Sequence, residues 1–359
     1  MIKIGNREIG AQQRPYLIAE MSGNHNHSLD RALQIVDAAA AAGADAIKLQ
    51  TYTAETMTLN LRRPGFVIDD PNSLWTGRQL YELYDEAHTP WEWHAPIIER
   101  ARRHGLHCFS TPFDDTAVDF LETLDVPAHK IASFECTDLP LIRKVAGTGK
   151  PMIISTGMAT LGEIDEAVRT AHASGCRQIV LLKCTSTYPA TPDSTNVRTV
   201  AHLRQAFGED DLQQQQGLSV EVGLSDHTMG CGAAIAAVAL GAVLIEKHFT
   251  LARADGGVDS TFSLEPAEFA LLRSESERAW QSLGRVTYGG TAAEEKSRAF
   301  RRSLYVAAAM KAGEAFTPAN LRIVRPGFGL PPKFYDTLLG KRINRDAEAG
   351  TALSWDLLA

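Results

Sequence analysis

Two histidines, His227 and His248, each follow a short apolar run, in Gly223-Leu224-Ser225-Asp226-His227-Thr228 and Ile245-Glu246-Lys247-His248-Phe249-Thr250. Neutral imidazole is a common ligand for divalent cations, and carboxylates nearby could complete a mixed nitrogen and oxygen site. Glu20, Glu135, Asp226 and Glu246 are the carboxylates in comparable positions. With only two histidines, the remaining positions on an ion of manganese or magnesium type would go to water or substrate, leaving it open for Lewis-acid work.

A second set of residues suits an anion. Lys48, Lys130 and Lys183 recur near hydroxyls at Ser110, Thr111, Ser133, Ser155, Thr156 and Ser186. Ammonium and hydroxyl donors together neutralise and orient a phosphate or carboxylate. Any one of these lysines could instead pair with a neighbouring Glu or Asp, and an isolated pair of histidines is more often structural than ligating. The elements that carry them decide between these readings.

The stretches 218–224 and 242–245 have strand character, and 229–241 between them is small, apolar and helix-compatible. The same unit, an apolar strand, polar residues at its end and an amphipathic helix, recurs from residue 15 to about 280. Strands are expected at 16–20, 46–49, 106–110, 129–132, 152–155, 178–183, near 219 and near 242. Helices are expected at 29–42, 91–104, 116–124, 139–146, 161–173, 196–207 and 266–283. Ser28 is the expected N-cap of the first helix, Gly43 ends it, and Leu33, Val36 and Ala40 are its expected packing face.

Eight strands alternating with helices point to an α/β fold, a closed (β/α)8 TIM barrel, whose strand ends converge on one mouth. No GxGxxG follows the first strand, which argues against an open dinucleotide-binding sheet. Residues 51–90, broken by Pro64, Gly65, Pro71 and Gly77, are expected to form an extended loop over one end of the barrel. The run Gln213 to Gln216 reads as solvated loop. The expected domains are a barrel over 1–284, a polar linker over 285–301 and a small domain over 302–359.

Composition limits the partners. The net charge of -7 argues against a nucleic-acid face, although a local basic pocket remains compatible with it. The five cysteines are scattered and form no CxxC pair, as expected of reduced thiols in a cytoplasmic protein. Lys3, Arg7 and Glu8 are unlike a signal peptide, and the apolar run 231–245 is too short to span a bilayer. No membrane segment is expected.

The chain resembles the sialic acid synthase family along nearly its whole length. The resemblance rests on Ala19-Glu20 with Asn24-His25, Ile47-Lys48-Leu49-Gln50-Thr51, Ser110-Thr111-Pro112-Phe113 and Lys130-Ile131-Ala132-Ser133-Phe134-Glu135. It continues through Ser155-Thr156-Gly157-Met158, Lys183-Cys184-Thr185-Ser186 with Tyr188-Pro189, the two histidine motifs and Arg325-Pro326-Gly327.

The resemblance implies a metal-dependent condensation of phosphoenolpyruvate with an open-chain amino sugar, giving a nonulosonic acid and phosphate. It implies that His227 and His248 hold Mn2+ or Mg2+, and that Lys48, Thr111, Lys130, Ser133, Ser186 and Ser225 hold phosphoenolpyruvate. Glu20, Tyr188, Glu246 and Asp259 would surround the sugar, Gln50 would join the substrate-binding set, and Glu20 is the candidate for proton handling. The C-terminal segment resembles that family's antifreeze-like (SAF) domain. By the same resemblance it would cap the partner's barrel in a domain-swapped homodimer, bringing in Arg325.

Within the family, the stretch from Gly256-Gly257-Val258-Asp259 to Glu265-Pro266 is similar to the pseudaminic acid synthases, as are Arg302-Ser303-Leu304-Tyr305 and Tyr335-Asp336. Ser186 departs from the asparagine that many sialic acid synthases carry there. N-acetylneuraminate or legionaminate synthesis is the alternative. Further readings are a metal-dependent aldolase-type enzyme acting on a sugar phosphate and a noncatalytic carbohydrate-binding scaffold. Polar groups at nearly every strand end argue against the scaffold.

Overall fold

The computed structural model describes residues 2–71, 73–208 and 217–359. It divides into two compact units, Met1–Leu283 and Gly284–Ala359. The glutamine run lies outside the described residues.

In the first unit the chain begins with an antiparallel hairpin, β1 (Ile2–Ile4) and β2 (Arg7–Ile9). Eight parallel strands follow: β3 (Tyr16–Glu20), β4 (Ala46–Thr51), β5 (His107–Pro112), β6 (His129–Ile131), β7 (Met152–Ser155), β8 (Gln178–Cys184), β9 (Ser219–Asp226) and β10 (Leu244–His248). They close in chain order, with β10 paired to β3. Strands covered on both faces read as nearly continuous apolar runs, as all five buried residues of β3 do.

The hairpin was not expected from the sequence, because three-residue strands leave almost no periodic signal. Its Ile2, Ile4 and Ile9 are buried in the barrel's hydrophobic core, and Lys3 N donates to Gln178 Oε1 (2.6 Å) at the start of β8. The hairpin therefore packs at the amino-terminal end of the barrel, opposite the strand ends that carry the polar groups.

Local signals set the helix boundaries. Ser28 accepts a hydrogen bond from Arg31 N (3.2 Å), starting the helix Leu29–Ala41, and Gly43 follows it with φ +86°. Its fully buried stripe is Ala32, Ile35, Val36 and Ala39; Leu33 and Ala40 flank that stripe half-buried. The helix expected over 196–207 is shorter, Arg198–Leu203, continued by a π turn over Arg204–Gly208.

Residues 51–90 are not all loop. They contain the helices Ala54–Met57 and Leu80–Ala87, joined by irregular chain whose prolines and glycines prevent a continuous element. On β9, a side chain at Gly223 would lie 2.2 Å from the carbonyl oxygen of Leu244. Glycine there lets β9 and β10 approach just below the residues of interest.

The second unit is mostly irregular, around the antiparallel pair β11 (Ser303–Val306) and β12 (Leu321–Val324). It buries its own core, including Leu304, Val306, Met310, Phe316, Leu321 and Ile343. Ser303 Oγ donates to Pro326 O (2.7 Å) and accepts from Gly329 N (2.9 Å), fixing the turn after Arg325. Arg325 itself is exposed.

Candidate active site

Strand register explains why residues far apart in sequence meet. Glu20 on β3 is the direct neighbour of His248 on β10 and of Lys48 on β4, and Glu246 on β10 is that of Ser225 on β9. Side chains alternate along a strand, so Glu246 and His248 share one face while Lys247 takes the other.

At the centre is a buried group of two lysines and two carboxylates. Lys48 forms an ion pair with Glu20 and donates to Thr111 Oγ1 (3.0 Å). Glu246 lies 3.9 Å from Lys48 Nζ and 3.7 Å from Lys130 Nζ, and accepts from Ser225 Oγ (3.0 Å). Lys130 also donates to Ser155 Oγ (2.7 Å).

This environment separates the two carboxyls. Burial pushes Glu20 up to about 7, because the opposing pull of Lys48 is partly offset by the charge of Glu246. Burial also acts on Glu246, but Lys130, Lys48 and the Ser225 hydrogen bond hold it below its ordinary value. Burial lowers Lys130, whereas the two carboxylates outweigh that effect at Lys48 and raise it.

The two imidazoles stand side by side, with ring centroids 5.3 Å apart. His227 Nδ1 lies 2.8 Å from the carbonyl oxygen of Thr185. A carbonyl can only accept, so Nδ1 carries the hydrogen and Nε2 keeps its lone pair for another partner. His248 Nδ1 is buried without a hydrogen bond, and burial drives this imidazole well toward its neutral form. Burial also lowers His227, but the hydrogen bond and charge of Cys184 outweigh it and raise this imidazole above its ordinary value. The uncommitted nitrogens of the two adjacent rings fit a divalent cation. Among the described residues no group of three or more His, Cys, Asp and Glu side chains is placed to hold a metal ion, so a cation here would rest on the two imidazoles and on ligands from outside the chain.

Around the histidines, Tyr188 lies 4.4 Å from the His227 ring and Phe262 4.9 Å from the His248 ring, measured between centroids. Asp259 approaches His248 Nδ1 to 3.7 Å and accepts a hydrogen bond from Ser22. Gln50 Nε2 donates to both Glu20 Oε1 and Ser22 Oγ (3.1 Å each). Ser133 and Ser186 meet at Gly157, where an added Cβ would come within 2.5 Å of each.

Three polar residues at strand ends lie elsewhere. Lys247 and Asp226 pair with each other (3.0 Å) on the outer face of the wall, and Lys247 also donates to the Thr228 carbonyl. The carboxylate of Asp226 is thereby occupied away from the histidine pair. Lys183 bonds to Thr185; on β8 the inward position is that of Cys184, whose Sγ lies 4.0 Å from both His227 Nδ1 and Ser186 Oγ. Ser22 and Cys184 were not singled out as site residues by sequence reasoning. Alternation counted back from Ser186 along β8 is the signal that points to Cys184.

A cavity of about 350 Å³ opens onto this group, lined by Gln50, Ser186, Tyr188, His248 and Asp259. Much of its wall comes from residues 51–90, through Tyr52, Met57, Ile68, Trp75, Leu80, Leu83 and Tyr84. The excursion between β4 and β5 thus covers the mouth of the barrel.

The NeuB family pattern matches residues 35–288, and the SAF domain pattern matches residues 301–359. Pseudaminic acid synthase of Campylobacter jejuni subsp. jejuni is 43% identical over 352 residues, covering 98% of each chain. N,N'-diacetyllegionaminic acid synthase of the same organism is 35% identical over 337 residues, covering 92% of this chain and 96% of its own. The solved structure of N-acetylneuraminic acid synthetase from Leptospira borgpetersenii superposes with a TM-score of 0.71 at 30% identity, over 82% of this chain and 94% of that one.

Proposed function

We propose that this chain, which belongs to the NeuB family, condenses phosphoenolpyruvate with 2,4-diacetamido-2,4,6-trideoxy-L-altrose and water to give pseudaminic acid and phosphate. The observation that carries this reading is the likeness to a pseudaminic acid synthase over 98% of both chains. Likeness to the legionaminic acid enzyme is lower, at 35%, and the central site is compatible with either acceptor.

Lys48, Lys130, Thr111, Ser133, Ser186 and Ser225 are the proposed ligands of phosphoenolpyruvate. Two buried ammonium groups with hydroxyls beside them suit its phosphate and carboxylate. Tyr188, Gln50, Glu246 and Asp259 would line the acceptor's side, with Arg325 supplied by the SAF domain of a partner copy in a domain-swapped homodimer. Residues 285–301 would serve as the linker that allows the exchange. The absence of any disulfide among the five cysteines agrees with a reducing, cytoplasmic setting. Among the described residues no helix is long and apolar enough to cross a membrane.

His227 and His248 would hold a divalent cation, Mn2+ or Mg2+, which when bound supplies Lewis-acid polarisation of the acceptor's aldehyde oxygen. The enol carbon of phosphoenolpyruvate attacks the aldehyde carbon, water adds to the cationic carbon left behind, and phosphate leaves from the resulting tetrahedral centre. Glu20, raised toward neutrality, is suited to take and return a proton at the acceptor oxygen or the attacking water. Lys48 beside it holds the anion as charge moves.

The test is to incubate the purified chain with Mn2+, phosphoenolpyruvate and each candidate amino sugar, and to weigh the product. Phosphate release with formation of pseudaminic acid is expected from the diacetamido altrose. Release only with an acceptor that lacks the C4 acetamido group would assign the chain to neuraminate synthesis, and a diastereomeric product of equal mass formed from the manno-configured diacetamido acceptor, separated by chromatography, to legionaminate synthesis.

A further inference from the structure

The turn after β6 leaves one acidic group unused. Glu135 lines the cavity over the mouth, and its Oε2 is buried without a hydrogen-bond partner. A buried acceptor without a donor is costly, so an unfilled one at a cavity wall marks a place where a ligand's donor can be satisfied.

Tyr84, on the helix Leu80–Ala87, lines the same cavity. Glu135 acts electrostatically on its phenol, yet the two groups are not hydrogen-bonded to each other. A donor and an acceptor thus line one cavity without bonding to each other, and its wall is otherwise apolar at Phe113, Leu80 and Leu83.

The strand order fixes where this pair lies relative to the reacting centre. In the closed ring β10-β3-β4-β5-β6-β7-β8-β9, β6 is four strands from β10. Glu135 and His248 therefore stand on opposite sides of the mouth. An acceptor whose aldehyde lies at the histidines keeps its C2 substituent beside them and extends its C4 substituent across the cavity.

We infer that Glu135 and Tyr84 form a subsite for the C4 acetamido group of the acceptor. The Glu135 carboxylate accepts the amide N–H, the Tyr84 hydroxyl donates to the amide carbonyl, and the methyl group packs on the apolar wall. A hydroxyl at C4 offers no methyl for that wall and only one oxygen to share between the two polar groups. The inference rests on the acceptor assignment above and goes beyond it by naming residues that choose the acceptor.

The experiment compares kcat/KM for the 2,4-diacetamido acceptor and its 4-hydroxy counterpart, in the wild-type enzyme, Glu135→Ala and Tyr84→Phe. Wild-type turnover of the diacetamido sugar comes first: without it the functional assignment fails on its own, and the inference falls with it. Given that turnover, each variant is expected to lose about 10- to 100-fold of the preference for the diacetamido sugar, with KM for phosphoenolpyruvate unchanged. Tyr84→Phe removes a single oxygen and so keeps the comparison valid if Glu135→Ala fails to fold. An unchanged preference in Tyr84→Phe and in any folded Glu135 variant overturns the subsite. So does an equal loss with both acceptors accompanied by a raised KM for phosphoenolpyruvate, which would assign Glu135 to the other substrate.

Discussion

Glu20 and Lys48 are direct neighbours across β3 and β4, and their side chains form an ion pair shielded from water at the mouth of the barrel. Removing Lys48 leaves the Glu20 carboxyl, already raised toward 7, to take up a proton and stay buried without its partner, which typically costs about 1–3 kcal/mol. Lys48→Met is therefore expected to lower stability in urea titrations by that order and to abolish turnover. Adding Glu20→Gln to Lys48→Met should restore much of the stability and none of the activity. Independent, additive losses in the double variant would contradict the pairing.

The raised carboxyl of Glu20 gives stability a defined pH slope. Its carboxyl ionises near its ordinary value, 4.5, when unfolded and near 7 when folded. Between these values the folded chain binds the extra proton, so stability falls as pH rises, by up to about 1.4 kcal/mol per pH unit for this group. Urea titrations from pH 5 to 8 should show a shallower decline in Glu20→Gln than in the wild type. Parallel profiles would mean that Glu20 titrates normally.

Gly157 has no room for a side chain. A Cβ there would meet Ser133 and Ser186 at 2.5 Å, and overpacking of this kind costs about 1–3 kcal/mol. Gly157→Ala is expected to raise KM for phosphoenolpyruvate by displacing both hydroxyls. Gly162→Ala, in the helix Leu161–Ala173 with nothing within 4 Å, serves as the control and should be neutral or slightly stabilising. A normal KM in Gly157→Ala would remove Ser133 and Ser186 from the phosphate site.

The barrel and the convergence of Glu20, Lys48, Glu246 and the two histidines were legible because strand, turn and helix repeat along the chain and a parallel barrel gathers its strand ends. Which face each polar residue takes was less legible. Asp226 and Lys247 sit beside Ser225 and Glu246 in sequence, yet alternation turns them outward into their own pair. The expected strand ends missed the observed ones by up to three residues, as at 242–245 against Leu244–His248, too coarsely to separate the faces. The hairpin Ile2–Ile4 with Arg7–Ile9 and the helix Leu80–Ala87 owe their form to the surfaces they cover, which local sequence does not record.

That alternation separates two kinds of residue by their response to metal. A cation bound to the folded chain raises its melting temperature by mass action. Added Mn2+ is expected to raise Tm in the wild type and not in His227→Ala or His248→Ala. Asp226→Asn should lower the starting Tm, because Lys247 loses its buried partner, while the increment with Mn2+ persists. Loss of that increment in Asp226→Asn would make the aspartate a ligand after all.

Whether the SAF domain is exchanged between two copies can be tested without a structure of the assembly. If Arg325 serves the barrel of the other copy, Arg325→Ala and His248→Ala disable different halves of the same shared site. Each variant alone has no intact site. In a dimer with one chain of each kind, the barrel with intact His248 belongs to the Arg325→Ala chain and receives Arg325 from its partner. Random mixing makes half the dimers mixed, with one good site in two, so about one quarter of wild-type activity should return. If Arg325 acts within its own chain, every barrel in the mixture lacks one of the two residues. The activity of unfolded and refolded mixtures therefore distinguishes the two arrangements.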